Sequence, residues 1–380
     1  MQGQTIATRA ALLHKAGPDA KFTIEDVTLD PPRGPEVRVK LAASGLCHSD
    51  EHLRYGAYDL DWSPCLGGHE GAGVIVDVGD EVTDLEVGDH VVLTFIPSCG
   101  KCPPCVSGHS NLCDMGAELF SGVSVYDGTH RFHWQGQGVG QFVQLGTFTP
   151  YTVVHQNSAV KIDKSIPLDK AALVGCGVAT GFGTGSWAAD TRIGDTAVVV
   201  GCGGIGMNAV QGFRVAGATT IVAVDPLDWK TELAVEKFGA THRASSMEEA
   251  RGIVSDLTHN RMADRLAYTV GNGLGSDIET AFSLIGKLGI MVFTSVAEAV
   301  ARDAKIDLFT LTHYQQQLRG ALYGSANPRA DIPKLLRLYQ QGILKLDELV
   351  TQTYTLDDVN QGYTDLLDGK NIRGVILYED

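Results

Sequence analysis

An apolar run, Ala197-Val-Val-Val, ends in the cluster Gly201-Cys-Gly203-Gly204-Ile205-Gly206. Residues Met207 to Ala216 then read as a helix, and Ile221-Val-Ala-Val as a second strand. Few folds accept that order. Strands apolar on both faces, joined through a glycine turn and a helix, build a doubly wound parallel sheet. The glycines let the backbone approach a pyrophosphate, which then sits at the helix N-terminus. Nineteen residues past Gly206, Asp225 closes the second strand. A carboxylate there takes the ribose hydroxyls of NAD and repels the extra phosphate of NADP. A tight turn with no ligand would explain the glycines alone, but not strand, helix, second strand and acid in register. Thr231 to Phe238 continues as helix, and Ile290-Met-Val-Phe and Gly320-Ala-Leu-Tyr as strands.

Cysteines supply the second constraint. Cys99, Cys102, Cys105 and Cys113 follow the spacing C-x2-C-x2-C-x7-C among Gly and Pro turns. Four thiolates so close together can enclose one tetrahedral Zn²⁺ and leave no site for substrate, which is a structural zinc. Iron–sulfur runs space the last cysteine differently. A disulfide pair suits a secreted chain, and no signal peptide is apparent after Met1. Three more candidates sit in glycine turns: Cys47, His69 and Cys176. Two sulfurs and one imidazole leave a fourth position open, the layout of a catalytic zinc. Asp50 is a candidate to hold the His69 imidazole. Glu70 adjoins His69, as an inner-sphere partner or as a group that tunes the field. Cys65 and Cys202 are left over and read as buried thiols.

At 380 residues the chain is expected to form two domains. Residues 1 to about 95 read as short strands of a barrel-like domain. Residues 120 to 140 read as a long surface loop. Ile332 to Gln341 and Asp357 to Leu367 read as amphipathic helices, and Arg373-Gly-Val-Ile-Leu-Tyr as a closing strand. The expected layout is a β-rich domain, 1–177 and 323–380, interrupted by a nucleotide-binding domain, 178–322. The formal net charge of −15 has no basic face to set against it, so nucleic acid is not an expected partner. No apolar run approaches the roughly 20 residues that span a bilayer. A cytoplasmic location is the resulting expectation.

Taken together, these motifs resemble the zinc-containing medium-chain alcohol dehydrogenases over nearly the whole chain. The resemblance rests on Gly67-Gly-His69-Glu70-Gly, the four-cysteine loop, Gly175-Cys176-Gly-Val-Ala-Thr180-Gly and the glycine fingerprint. It implies an α/β chain, a GroES-like β-rich catalytic domain plus a Rossmann sheet, with two Zn²⁺ per chain and NAD. It places Cys47, His69 and Cys176 on the catalytic zinc, Ser49 at the substrate oxygen and His52 at the outer end of a proton relay. Thr180 falls near the nicotinamide, Asp225 and Lys230 at the adenosine ribose, and Arg373 at the pyrophosphate. The backbone of Val296, Ala321 and Tyr323 faces the carboxamide. Phe95, Phe142 and Leu322 line the substrate pocket. Hydride would pass from the carbinol carbon to the nicotinamide while Ser49 and His52 carry away the proton.

The chain departs from the family in two places. His48 stands where the family often carries an arginine on the pyrophosphate. Asp-Met-Gly-Ala-Glu follows Cys113, where the glutathione-linked branch carries a basic residue. A narrower resemblance rests on Ala172-Leu-Val-Gly-Cys176, Gly206-Met-Asn-Ala-Val-Gln-Gly and Gly324-Ser-Ala-Asn-Pro-Arg-Ala-Asp-Ile-Pro. These strings are similar to actinobacterial nicotinoprotein alcohol dehydrogenases, which keep NAD bound and pass electrons to an external acceptor. The family also implies a homodimer or homotetramer. An ordinary NAD-exchanging alcohol dehydrogenase is the alternative. A non-catalytic zinc interaction protein is the alternative of another class.

Overall fold

The computed structural model describes residues 3–58, 60, 62–297 and 301–379. The chain divides into two compact units. One comprises Met1–Cys176, Asn327–Gln341 and Val350–Asp380; the other comprises Gly177–Ala326 and Gly342–Leu349. The return to the first unit therefore falls at Asn327 rather than at residue 323, and a short piece goes back to the second. Buried polarity accounts for that piece. Gln211 lies on the helix Gly204–Ala216 and is 3% exposed. Its side chain donates to the Lys345 carbonyl at 3.2 Å and accepts from the Lys345 N–H at 2.7 Å. A buried amide without such partners would be costly.

In the first unit five short strands close into a barrel. Their order is Ile6–Leu13, Thr23–Leu29, Phe132–Trp134, Gln137–Gln141 and Cys65–Leu66, which returns to Ile6–Leu13. Residues 132–141 are thus a hairpin, although the sequence reads as loop there. The strands are too short to show a period, and Gln135 and Gly136 both take positive φ, as a two-residue hairpin turn requires. Phe132 and Val139 face each other across it and are both fully buried. A seven-stranded sheet completes the unit, with Glu36–Gly45 near its centre, pairing with Glu70–Val78, Tyr151–His155 and Arg373–Leu377. The last of these strands comes from the far end of the sequence.

In the second unit six parallel strands lie in the order His242–Ala244, Thr220–Val224, Thr196–Val200, Ala263–Tyr268, Ile285–Phe293, Gln317–Gly320. The sequence order therefore reverses at Thr196–Val200, which puts the mouth of the sheet at the glycine cluster. Val198, Val222, Leu266 and Met291 are fully buried there. The strand expected at Gly320-Ala-Leu-Tyr instead ends at Gly320. Tyr323 and Gly324 take left-handed φ in a short turn, Leu322–Ser325, and no strand can continue through them. Among the described residues no helix is long and apolar enough to cross a membrane.

His155 ends its strand with Nδ1 accepting the Asn157 N–H at 3.0 Å. Burial first, then Arg329 and Lys101, push this imidazole down to about 4. It therefore stays neutral in the fold, while the unfolded chain takes up its proton near the ordinary 6.5. Its contribution to stability is whole above pH 6.5 and fades as pH falls towards 4. Denaturant midpoints should fall over that window, and His155→Gln should flatten the fall. Equal losses in both proteins would show that His155 does not titrate as described.

Candidate active site

Three segments of the first unit converge on one buried point. Cys47 precedes the helix His48–Tyr55, in extended conformation and without a side-chain capping bond. His69 directly precedes the strand Glu70–Val78, and Cys176 follows the short turn Ala172–Gly175. The ligand-capable atoms of Cys47, His69, Glu70 and Cys176 all lie within 4.8 Å of one another, and all four residues are buried. His69 Nδ1 is 2.9 Å from Asp50 Oδ2, an ion-pair distance, although the angle falls short of a good hydrogen bond. Asp50 Oδ1 accepts the Gly68 N–H at 2.8 Å. His69 Nε2 is buried with no hydrogen-bond partner of good geometry. Two sulfurs facing such a nitrogen make a donor set that fits Zn²⁺, with Asp50 in the place from which a carboxylate orients the imidazole.

The charges around this point are tightly coupled. Cys47 is held well below the ordinary thiol range, first by a hydrogen bond with Cys176, against its own burial, and then by His69. Cys176 is correspondingly raised. Burial opposes charge on His69, but Asp50 and Cys47 outweigh it and raise its pKa. Glu70 is pushed up to about 7 by burial, against the pull of Arg373. The Arg373 guanidinium contacts Glu70 and donates to the Leu46 carbonyl at 3.0 Å, while its Nε makes no protein hydrogen bond.

Ser49 and His52 lie three positions apart on the helix that begins after Cys47, so they share a face. Ser49 Oγ is 3.8 Å from Cys47 Sγ. His48 is half-buried in the first turn. The Phe95 and Phe142 rings stand edge-on to the His69 imidazole, at 6.0 and 5.8 Å between centroids. Tyr58 and Phe120 join Phe142 at 5.8 and 6.3 Å, and lie 5.0 Å from each other. Sequence reasoning misses these two. They belong to no motif and become neighbours only through the fold.

The four-cysteine loop also draws together. The Cys99, Cys102, Cys105 and Cys113 sulfurs lie within 4.8 Å of one another. Backbone N–H groups of Cys99, Cys102 and Asp114 each donate to a cysteine sulfur at 3.4 Å. Burial opposes ionisation of Cys99, but the N–H groups of Lys101 and Cys102 lower it to about 6. Burial pushes Cys113 up to about 12. Four thiolates together need a cation, and this set fits zinc. Ser110 ties the loop down, its N–H and hydroxyl both donating to Asn327 Oδ1 at 2.8 Å. Cys65 and Cys202 lie outside both clusters as buried thiols near the carbonyls of Leu66 and Val224.

The second unit holds the glycine fingerprint. Gly201 leaves its strand at φ +92°, and a Cβ on Gly206 would collide with the Gly201 carbonyl. Gly203 caps the helix Gly204–Ala216 with no side-chain bond, and Gly204 and Ile205 open its first turn. The N-terminal N–H groups are thus left for an anion. Asp225 is buried, and its carboxylate accepts the Cys202 N–H at 2.9 Å and the Leu227 N–H at 3.0 Å. Lys230 lies over the Trp229 ring at 5.7 Å. Thr180 is buried on the helix Gly177–Gly183, and its carbonyl accepts the Thr184 hydroxyl at 2.7 Å. Val296 bridges to Asn272, and the Ala321 N–H donates to the Phe293 carbonyl at 3.2 Å. Tyr323 is buried and Leu322 is 47% exposed.

Residues 33–164 match the alcohol dehydrogenase GroES-like domain, and residues 204–341 the zinc-binding dehydrogenase domain. The NDMA-dependent alcohol dehydrogenase of Amycolatopsis methanolica is 50% identical, over 98% of this chain and 99% of its own. Alcohol dehydrogenase B of Mycobacterium tuberculosis is 46% identical, over 94% of this chain and 96% of its own. Among solved structures, benzyl alcohol dehydrogenase from Acinetobacter calcoaceticus superposes with a TM-score of 0.90 at 30% identity, over 98% of this chain and 100% of its own.

If Asp50 orients His69, Asp50→Ala should weaken metal retention against a chelator about 10- to 100-fold, with the four-cysteine metal unaffected. Retention equal to wild type would remove Asp50 from that role.

Proposed function

The chain belongs to the zinc-dependent, medium-chain alcohol dehydrogenase family, and on that premise we propose that it oxidises primary alcohols, aliphatic or aromatic, with an NAD that stays bound through turnover and is reoxidised in place by an external acceptor. The observation that carries the finer reading is the 50% identity, over 98% of the chain, to a relative named for its dependence on NDMA. The reading as a non-catalytic zinc module falls away with family membership.

In this proposal Cys47, His69 and Cys176 hold one zinc, and Cys99, Cys102, Cys105 and Cys113 a second. The first zinc, when bound, supplies Lewis acidity to the substrate oxygen. Bound NAD supplies the hydride acceptor. The remaining work belongs to side chains. Asp50 fixes the His69 ring. Ser49 Oγ receives the hydroxyl proton, and His52, three residues along the same helix face, passes it outward. Glu70 and Arg373 neutralise each other beside the metal ligands, and the Arg373 Nε is left for a phosphate oxygen, with His48 a further candidate for it. Thr180 and the backbone of Val296, Ala321 and Tyr323 position the nicotinamide. Gly201, Gly203, Gly204, Ile205 and Gly206 receive the pyrophosphate. Asp225, held by two backbone N–H groups, and Lys230 read the adenosine ribose. Phe95, Phe142 and Leu322 contact the substrate. A cytoplasmic homodimer or homotetramer completes the reading.

Exhaustive dialysis followed by denaturing extraction and elemental analysis tests it. About one NAD(H) and two zincs per chain are expected. Two zincs with no nucleotide would replace the bound-cofactor reading with an ordinary NAD-exchanging dehydrogenase.

Two substitutions probe the site assignments. His69→Ala should abolish turnover and lose one zinc equivalent; near-normal activity would sink the catalytic-zinc assignment. Asp225→Ala should erode the preference for NAD over NADP by about tenfold or more, since a buried carboxylate near the ribose disfavours a phosphate. An unchanged preference would mean that another group reads the ribose.

A further inference from the structure

We propose that Tyr58, Phe120 and Phe142 form a rigid aromatic wall beside His69 that makes the enzyme prefer flat aromatic primary alcohols to alkyl ones. The inference rests on the dehydrogenase reading above and narrows its substrate class.

Each ring is held from a different part of the first unit. Tyr58 lies three residues beyond the helix His48–Tyr55. Its ring stands 6.4 Å from the His52 ring. Burial, and then the neighbouring Cys47 and Asp50, push the Tyr58 phenol above its ordinary range. Phe142 is 1% exposed and stands edge-on to His69.

Phe120 is 44% exposed, so much of its ring is presented outward. Its backbone is nevertheless pinned. Trp62 Nε1 donates to the Phe120 carbonyl at 2.7 Å, and Gln144 Nε2 to the Glu118 carbonyl at 2.6 Å. Farther along the same segment, Arg131 donates to Glu36 at 2.7 Å and lies 3.0 Å from Asp127, its side chain wholly buried. The three rings meet at interplanar angles of 32 to 46°.

A fixed set of tilted rings favours a flat π-surface, because offset and edge-to-face contacts add to area burial. A benzyl-type alcohol also has fewer torsions to freeze than an alkyl chain, so less of that contact is lost to ordering.

The test is the ratio of kcat/KM for benzyl alcohol to that for 1-butanol, measured with NAD and a nitroso-dye acceptor both supplied. The ratio cancels the active fraction, so partial misfolding cannot mimic the effect. Wild type should favour benzyl alcohol by about tenfold or more. Phe120→Ala and Tyr58→Leu should each cut the ratio about three- to tenfold, the scale of one aromatic pair. Tyr58→Phe should keep the ratio within about twofold, because the ring remains. No preference in wild type, or ratios unchanged in both ring-removing variants, would overturn the wall. A Tyr58→Phe ratio that falls as far as that of Tyr58→Leu would overturn the role of the ring. Wild-type turnover of neither alcohol would instead overturn the dehydrogenase reading itself.

Discussion

Six ionisable side chains, Cys47, Asp50, His69, Glu70, Cys176 and Arg373, are buried within reach of one another in the first unit. Taking such groups out of water is costly unless each meets an opposite charge or a donor. The sequence distributes them over four separate segments, so the cost is met only when those segments are brought together by the fold. Glu70 has Arg373, Asp50 has the Gly68 N–H and His69, and Cys47 has His69 and Cys176. The His69 Nε2 is the remainder in this account. A cation seated between the two sulfurs and that nitrogen would complete the balance.

The second unit solves a different problem with backbone rather than side-chain charge. Its candidate anion site is a set of N–H groups at a helix start, and the neighbouring acid is engaged by two N–H donors of its own. Asp225 is therefore fixed in direction by the backbone alone, which on the proposed reading lowers the ordering cost of binding a ribose. The four-cysteine loop follows the same economy, three N–H groups pointing at sulfur.

Much of this was legible in residue order because the chemistry forces local spacing. A tetrahedral thiolate site closes within a short loop, and a pyrophosphate turn needs its glycines in sequence, so Cys99 to Cys113 and Gly201 to Gly206 announce themselves. The convergence of Cys47, His69 and Cys176 was readable only by joining dispersed signals, each set in glycines. What stayed hidden had no local period. The hairpin at Phe132–Trp134 and Gln137–Gln141 is too short to alternate visibly. Ala263–Tyr268 carries Arg265 inside a central strand, where the guanidinium bonds the Asp190 carbonyl at 3.0 Å instead of breaking the sheet. Tyr58 and Phe120 are 62 positions apart in sequence and 5.0 Å apart as rings, a relation that only tertiary structure creates.

The late strand Arg373–Leu377, seated against Glu36–Gly45 with Val375 opposite Gly45, has a consequence for biosynthesis. During translation, everything that surrounds Glu70 from the N-terminal side is available long before Arg373 leaves the ribosome. The growing chain therefore carries a carboxyl group destined for burial without the guanidinium that makes its burial tolerable. The second unit waits as well, since Gln211 finds its two backbone bonds only after Lys345 is made. Each unit thus completes its buried contacts only once a late segment is made, and a nascent chain stalled before Arg373 would carry Glu70 as an uncompensated acid.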